Sequence, residues 1–270
     1  MTPNPVDQCF TTLRASKRKA FIPFITAGDP SLSATTDIIK ELTKRGADII
    51  ELGLPYSDPL ADGPVIQASY TRALKAGIRL DAIFAAAKEW TNIAGDTPLV
   101  AMTAYSLVYR RGPEQFLAKA KEAGFAGLII PDLPLEELGD LATLATAKNL
   151  KLIQLVTPTT PRDRAARIAK LSTGFLYVVS VVGITGERAQ LSGQLRDQLA
   201  FLRTQTDLPL CIGFGISKPE QVKELAPLAD GIIVGSALVK HLENAASQPW
   251  PAVLKALGDH ASQLRAPLAS

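Results

Sequence analysis

Short apolar runs recur along this chain at fairly even intervals, and helix-patterned segments lie between them. The runs are "AFIPFIT" (20–26), "DIIEL" (48–52), "PLVAMTA" (98–104), "GLIIP" (127–131), "KLIQLVT" (151–157), "FLYVVSV" (175–181), "LPLCIGF" (208–214) and "DGIIVGS" (230–236). Most are nearly continuous hydrophobics, as expected for parallel strands covered on both faces. The segments between them carry helical spacing and helical punctuation. "SATTDIIKELTKRGA" (33–47) puts Ile38, Ile39 and Leu42 on one face and ends at a glycine. "PEQFLAKAKEAG" (113–124) opens on Pro113 and closes on Gly124, the usual start and stop. Segments 134–149, 161–173, 192–206 and 218–229 follow the same plan. Strand, loop and helix repeated eight times predict a (β/α)8 barrel. Residues 5–16 read as an extra N-terminal helix capping the barrel bottom. No low-complexity linker interrupts residues 1–270, which reads as a single domain.

Composition narrows the function. The net charge of +3 comes from 29 basic and 26 acidic side chains, too mild and too dispersed to suit nucleic acid. "SKRK" (16–19) reads as a solvated face. The longest apolar stretches are about half the length of a membrane helix. The two cysteines, Cys9 and Cys211, have neither metal-ligand nor disulfide spacing. Cys211 sits in an apolar run and reads as a buried thiol. With no apolar leader in the first nineteen residues, this usage points to a reducing, cytoplasmic setting. The two histidines, His241 and His260, read as exposed helix residues and leave no His-rich metal site.

In a barrel of this type the chemistry gathers at the C-terminal ends of the strands. Glycine-bearing loops follow the last three strands: "VGITG" (182–186), "GFGIS" (213–217) and "VGSAL" (234–238). Helices are expected to start near Ser217 and at Ser236, where backbone N–H groups favour an anion. Singly, each loop reads as a turn; three at one corner of a barrel read as a phosphate site. After the second strand, "ELGLPYSDPLADGPVIQ" (51–67) places Glu51 at a strand end and Asp58 and Asp62 in the loop after it. If Ile50 and Leu52 pack on the helix layer, alternation points Glu51 into the barrel mouth. Partial desolvation there raises a carboxyl pKa toward the range useful for proton transfer. The two aspartates suit either turn stabilisation or a share of the acid–base work.

"FIPFITAGDP" (21–30), "ELGLPYSDPLADGPVIQ" (51–67), "LIIPDLPLEE" (128–137), "GITG" (183–186), "GFGISKPEQV" (213–222) and "GSALVK" (235–240), in this order, resemble the tryptophan synthase alpha subunit family. The resemblance implies a lyase of tryptophan biosynthesis that cleaves indole-3-glycerol phosphate to indole and glyceraldehyde 3-phosphate. It implies Glu51 as the proton shuttle and Asp62 as the carboxylate that holds the indole N–H. By the same carry-over, Phe24 lines the indole pocket, Tyr177 lies near Glu51, and Gly186, Gly215, Gly235 and Ser236 hold the phosphate. Segment 183–194 resembles the family's lid, with Thr185 meeting the Asp62 loop and Asp58 facing the lid or a partner. No cofactor or metal is implied for this chain. A beta subunit carrying pyridoxal phosphate, in an alpha2beta2 assembly, is the implied partner. The chain departs from the family pattern at Tyr56, where phenylalanine is usual, at Ser106 and Leu107 within 103–112, and at Val182. Three alternatives stand beside this reading: a free indole-releasing lyase, a catalytically quiet regulatory subunit, and a metal-dependent epimerase on a similar barrel.

Overall fold

The computed structural model describes residues 3–59, 62–180 and 188–269, with backbone alone for 188–192. Eight parallel strands close into a barrel in chain order, β8 pairing back onto β1. They are β1 (Ala20–Thr26), β2 (Ile50–Gly53), β3 (Leu99–Met102), β4 (Gly127–Ile129), β5 (Lys151–Val156), β6 (Leu176–Val179), β7 (Leu210–Gly213) and β8 (Gly231–Val234). The helices are α1 (Pro5–Ala15), α2 (Leu32–Lys44), α3 (Pro64–Lys75), α4 (Leu80–Ala94), α5 (Tyr105–Arg111), α6 (Pro113–Glu122), α7 (Leu135–Ala147), α8 (Arg162–Leu171), α9 (Arg188–Arg203), α10 (Pro219–Leu225), α11 (Ser236–Val239) and α12 (Trp250–Arg265). The expected (β/α)8 barrel with an extra N-terminal helix is therefore the fold.

Why the strands read as unbroken apolar runs is visible in the packing. Ile50 and Leu52 of β2 join Ile38, Ile39 and Leu42 of α2 in one large core between barrel and helices. Ile49, Ile22, Val100, Ile129, Ile153 and Ile233 belong to a separate core inside the barrel. Each strand thus buries both faces, and alternation shows only in which core a residue enters.

The inner core needs a floor, and α1 supplies it. Val6, Phe10 and Leu13 enter the inner core, with the Phe10 and Phe175 rings 5.8 Å apart. Asn4 fixes the helix start. Its Oδ1 accepts from Val6 N at 2.9 Å, while its Nδ2 donates to the carbonyls of Ala126 and Asn149, each at 2.9 Å. Burying a phenylalanine such as Phe10 contributes about 1.5–3 kcal/mol. Cys211 is fully buried in this inner core, as its sequence setting indicated.

Carboxylates at this N-terminal end have a structural job. Asp48 Oδ2 accepts from Phe21 N at 2.9 Å and pairs with Arg18 at 3.2 Å. Asp230 Oδ2 accepts from Leu210 N at 2.8 Å and pairs with Arg203 at 2.6 Å. The aspartates that open "DIIEL" and "DGIIV" thus satisfy strand N–H groups at the barrel floor. Glu51, the second residue of β2, takes up no strand N–H in this way among the described residues.

Some expectations need correction. Helix α9 starts at Arg188, four residues before the expected 192. Helices α10 and α11 start where expected, at Pro219 just after Ser217 and at Ser236, but α11 is only four residues long before it tightens into a 3-10 helix over Lys240–Ala246. The histidines are not exposed. Both are half-buried, with His241 Nε2 2.9 Å from His260 Nδ1 and His260 Nε2 3.1 Å from Ser217 O. A carbonyl only accepts, so His260 donates to Ser217, and its Nδ1 accepts from His241. Among the described residues no helix is long and apolar enough to cross a membrane.

Candidate active site

Glu51 turns into the barrel interior, between Ile50 and Leu52 that face the helices, and it is the second residue of β2 rather than its end, since the strand runs on to Gly53. It is 1% exposed and lies in register with Phe24 of β1 and Val100 of β3. Its Oε2 is buried without a hydrogen-bond partner among the described residues. Burial, and secondarily the charge of Asp62, push its pKa up to about 8. A group in that state is a neutral acid at pH 7 that ionises a little above it, suited to giving and retaking a proton.

The loop that follows β2 brings Asp62 back over this mouth. Its turn is held by the backbone and by the Gln67 side chain: Asp62 N donates to Pro59 O at 3.1 Å, and Gln67 Nε2 donates to Asp62 O at 2.7 Å and to Pro59 O at 3.2 Å. The half-buried Asp62 carboxylate is thus left free of turn-making. It accepts from Tyr56 Oη at 3.5 Å. Burial raises its pKa to about 6, opposed by the Tyr56 hydroxyl and assisted by the charge of Asp132. Two carboxyls with pKa values spread this way can take different roles, Glu51 protonated and Asp62 ionised near neutrality. Asp58, by contrast, is exposed and accepts from Ser57 Oγ at 2.9 Å.

Helix α3 anchors that loop. Gly63 precedes it as N-cap and Pro64 occupies its first turn. Farther along, Ser69 Oγ lies 2.6 Å from Thr26 Oγ1 and donates to Ile66 O at 2.7 Å. Arg72 grips Asp29 with two bonds, Nε to Oδ1 at 2.9 Å and Nη2 to Oδ2 at 2.6 Å. Both contacts tie α3 to the β1 end, so the Asp62 loop rests on a helix fastened to the barrel.

Aromatic side chains line the mouth, and two glycines make room for them. A Cβ on Gly53 would lie 2.5 Å from Phe24 Cζ and 2.7 Å from Tyr70 Oη. A Cβ on Gly213 would collide with the hydroxyl of Tyr177. Tyr177 is half-buried; burial raises its pKa, followed by the charges of Glu51 and Asp62. Phe24 thus stands in register with Glu51, and the charges of Glu51 and Asp62 both bear on Tyr177.

The glycine-bearing loops expected to hold phosphate follow β7 and β8, and one of them touches Phe24. Gly215 and Ser236 are exposed and Gly235 half-buried, at the ends of the paired strands β7 and β8. Gly215 has φ +74°, a conformation that favours glycine. Gly235 lies against the Phe24 ring, a Cβ there meeting Phe24 Cβ at 3.5 Å. Thr185, Gly186 and Val182 lie outside the described residues. Sequence reasoning did not single out Tyr70, Gly53, Gly213 or Asp132. For Tyr70 a signal existed: Ile66, Tyr70 and Ala73 recur at helical spacing and are all buried in α3. Asp132 gave none beyond its motif; its Oδ1 accepts from Tyr105 N at 2.7 Å, at the start of α5.

Comparison with known proteins agrees with this geometry. The profile of the family described as "Tryptophan synthase alpha chain" matches residues 10–264. The tryptophan synthase alpha chain of Rhodopirellula baltica is 47% identical over 243 residues, covering 89% of this chain and 87% of that one. That of Rippkaea orientalis is 46% identical over 263 residues, 96% of each chain. Among solved structures, tryptophan synthase subunit alpha from Legionella pneumophila superposes with a TM-score of 0.88 at 35% identity, covering 98% of each chain. A tryptophan synthase structure from M. tuberculosis gives 0.86 at 31% identity, covering 98% of this chain and 99% of the other. On sequence over nearly its whole length and on fold alike, the chain belongs to the tryptophan synthase alpha chain family.

Proposed function

We propose that Glu51 and Asp62 divide the proton work of the family's reaction, cleavage of indole-3-glycerol phosphate to indole and glyceraldehyde 3-phosphate. The observation that supports this most is Glu51 itself: a carboxyl 1% exposed, turned into the barrel, with one oxygen unpartnered among the described residues and under the charge of a second carboxylate, Asp62. An unpartnered buried carboxyl costs folding energy and is retained where a ligand supplies the missing partner.

The chemistry needs such a pair. Protonated Glu51 gives its proton to indole C3, leaving positive charge on the ring nitrogen. Ionised Asp62 stabilises that charge at the N–H. The C3′ hydroxyl then loses its proton to Glu51, the bond between C3 and C3′ breaks, and its electron pair restores the aromatic indole as the aldehyde forms. One proton enters and one returns, so Glu51 ends as it began. Phe24 and Tyr177 line the indole pocket. Gly186, Gly215, Gly235 and Ser236 hold the phosphate, Thr185 belongs to a lid that excludes water, and Asp58 faces the lid or partner. In the cell the indole passes to a beta subunit bearing pyridoxal phosphate, in an alpha2beta2 assembly.

The test is indole release by the purified chain, alone and with a beta subunit, for the native protein, Glu51→Gln and Asp62→Asn. Glu51→Gln should lower kcat by about 10²-fold or more, as loss of a general acid–base does, with substrate still bound. Near-native turnover in Glu51→Gln would defeat its role. Asp62→Asn with native kcat and a raised KM would make Asp62 a binding residue only. Activation by the beta subunit supports the coupled assembly, and fast release without it supports a free lyase.

A further inference from the structure

Tyr56 lies in the loop between β2 and α3, and its ring is fixed on two sides. It packs against the Tyr70 ring with centroids 5.5 Å apart and planes inclined by 55°. It also rests on a small apolar cluster of Phe24, Ile66, Tyr70 and Val239, separate from the two main cores. This seat brings its hydroxyl to 3.5 Å from Asp62 Oδ2.

The surroundings of Asp62 make that hydroxyl count. The groups whose charge or hydroxyl bears on Asp62 are Glu51 from β2, Tyr70 from α3, Tyr177 from β6, Asp132 from the loop after β4, and Tyr56 from its own loop. Every one is an acid or a phenol. Among the described residues no lysine, arginine or histidine pairs with Asp62. A carboxylate half-buried beside other acids is pressed toward its neutral form. The Tyr56 hydroxyl is the opposing influence, since a donor to a carboxylate favours the ionised state. The phenol's own pKa is raised by burial and by Asp62 and Asp132, so it stays protonated and able to donate wherever the enzyme works.

We propose that Tyr56 is a positioning residue for the cleavage reaction: its phenol orients the Asp62 carboxylate and keeps it charged for the indole N–H. This rests on the reading of Asp62 given above. Tyr56 is a departure from the family pattern, so the support comes from this chain's own geometry. At 3.5 Å the bond is at the weak end of hydrogen bonding, and the effect is correspondingly moderate.

The experiment compares native protein, Tyr56→Phe, Tyr56→Leu and Asp62→Asn in the indole-release assay over pH 5.5–9. Tyr56→Phe keeps the ring and its packing and removes only the hydroxyl. Its kcat/KM should fall about three- to tenfold near pH 6, the worth of one net hydrogen bond. The loss should shrink toward pH 9, because the acid limb moves up in pH. The carboxyls titrate as a coupled pair, so it is the displacement of the limb that is read. An acid limb superimposable on the native one would overturn the proposal. So would a pH-independent loss of equal size in Tyr56→Phe and Tyr56→Leu, which is a packing defect. Inactive Asp62→Asn beside an unmoved Tyr56→Phe profile removes only the role of Tyr56. Asp62→Asn with native activity overturns both readings.

Discussion

Replacing Glu51 with glutamine should stop the reaction and make the protein more stable, by an amount that grows with pH. The structure sets the size. Unfolded, the carboxyl titrates at its ordinary 4.5; folded, burial holds it at about 8. Between those values the unfolded chain has lost the proton and the folded chain has not. A raised folded pKa means stability fully present below pH 4.5 and lost as pH rises through 8. At about 1.36 kcal/mol per pH unit, the loss is roughly 1.4 kcal/mol at pH 5.5 and roughly 4.6 kcal/mol at pH 8.5. Glutamine has the same shape and no titration, so its advantage over the native protein should widen by about 3 kcal/mol between these two pH values. With a urea m-value near 3 kcal/mol/M, that is a relative midpoint shift of about 1 M. Urea unfolding of both proteins at each pH measures it. Equal midpoint differences at pH 5.5 and 8.5 would mean that Glu51 is not held neutral in the fold, and the acid role assigned to it would lose its physical basis.

Two further outcomes follow from the supporting structure. Gly53→Ala should cost about 1–3 kcal/mol and reduce kcat/KM, because the new methyl meets the Phe24 ring at 2.5 Å and the Tyr70 hydroxyl at 2.7 Å and both of those side chains are themselves buried; an unchanged Tm and rate would refute the tight packing. Arg72→Ala should cost about 3 kcal/mol, because it strips both donors from the fully buried Asp29 carboxylate. Protonating Asp29 relieves that defect, so the deficit should be smaller near pH 4 than near pH 8 in urea titrations, and a deficit constant with pH would show that the carboxylate finds another partner.

The barrel was legible because its strands bury both faces. That condition writes itself into sequence as unbroken apolar runs, and β1 occupies the run at 20–26 from end to end. The other ladders are shorter than their runs, β4 only three residues, since flanking apolar residues pack without joining the ladder. Helices α3, α4, α5 and α12 were not delimited. For α3 the reason is specific. Residues 51–67 look like one continuous motif, yet their last four belong to the first turn of a helix, started by Pro64. The histidine pair was illegible for another reason. His241 and His260 lie 19 positions apart on separate elements, and no local pattern announces that the 3-10 segment and α12 bring their rings within 5.2 Å.

The site divides along the same line. Direction was readable: alternation along β2 sends Ile50 and Leu52 to the helices and Glu51 inward, and the two cores bear this out. Electrostatic state was not, because it depends on what converges from elsewhere. Seen in sequence, Asp62 is an aspartate in a proline-rich turn, where turn-making is its commonest use. The fold removes that use by closing the turn with the backbone and Gln67. It then surrounds the freed carboxylate with Glu51, Asp132 and three phenols drawn from five separate segments. Acids gathered with no cation paired to them among the described residues work against folding stability. The arrangement makes sense where a substrate's developing positive charge is the cation that completes it. On that logic Glu51 and Asp62, which have no cation partner among the described residues, stand apart from Asp29, held by Arg72, and from Asp48 and Asp230 at the opposite end, each matched by an arginine and a strand N–H.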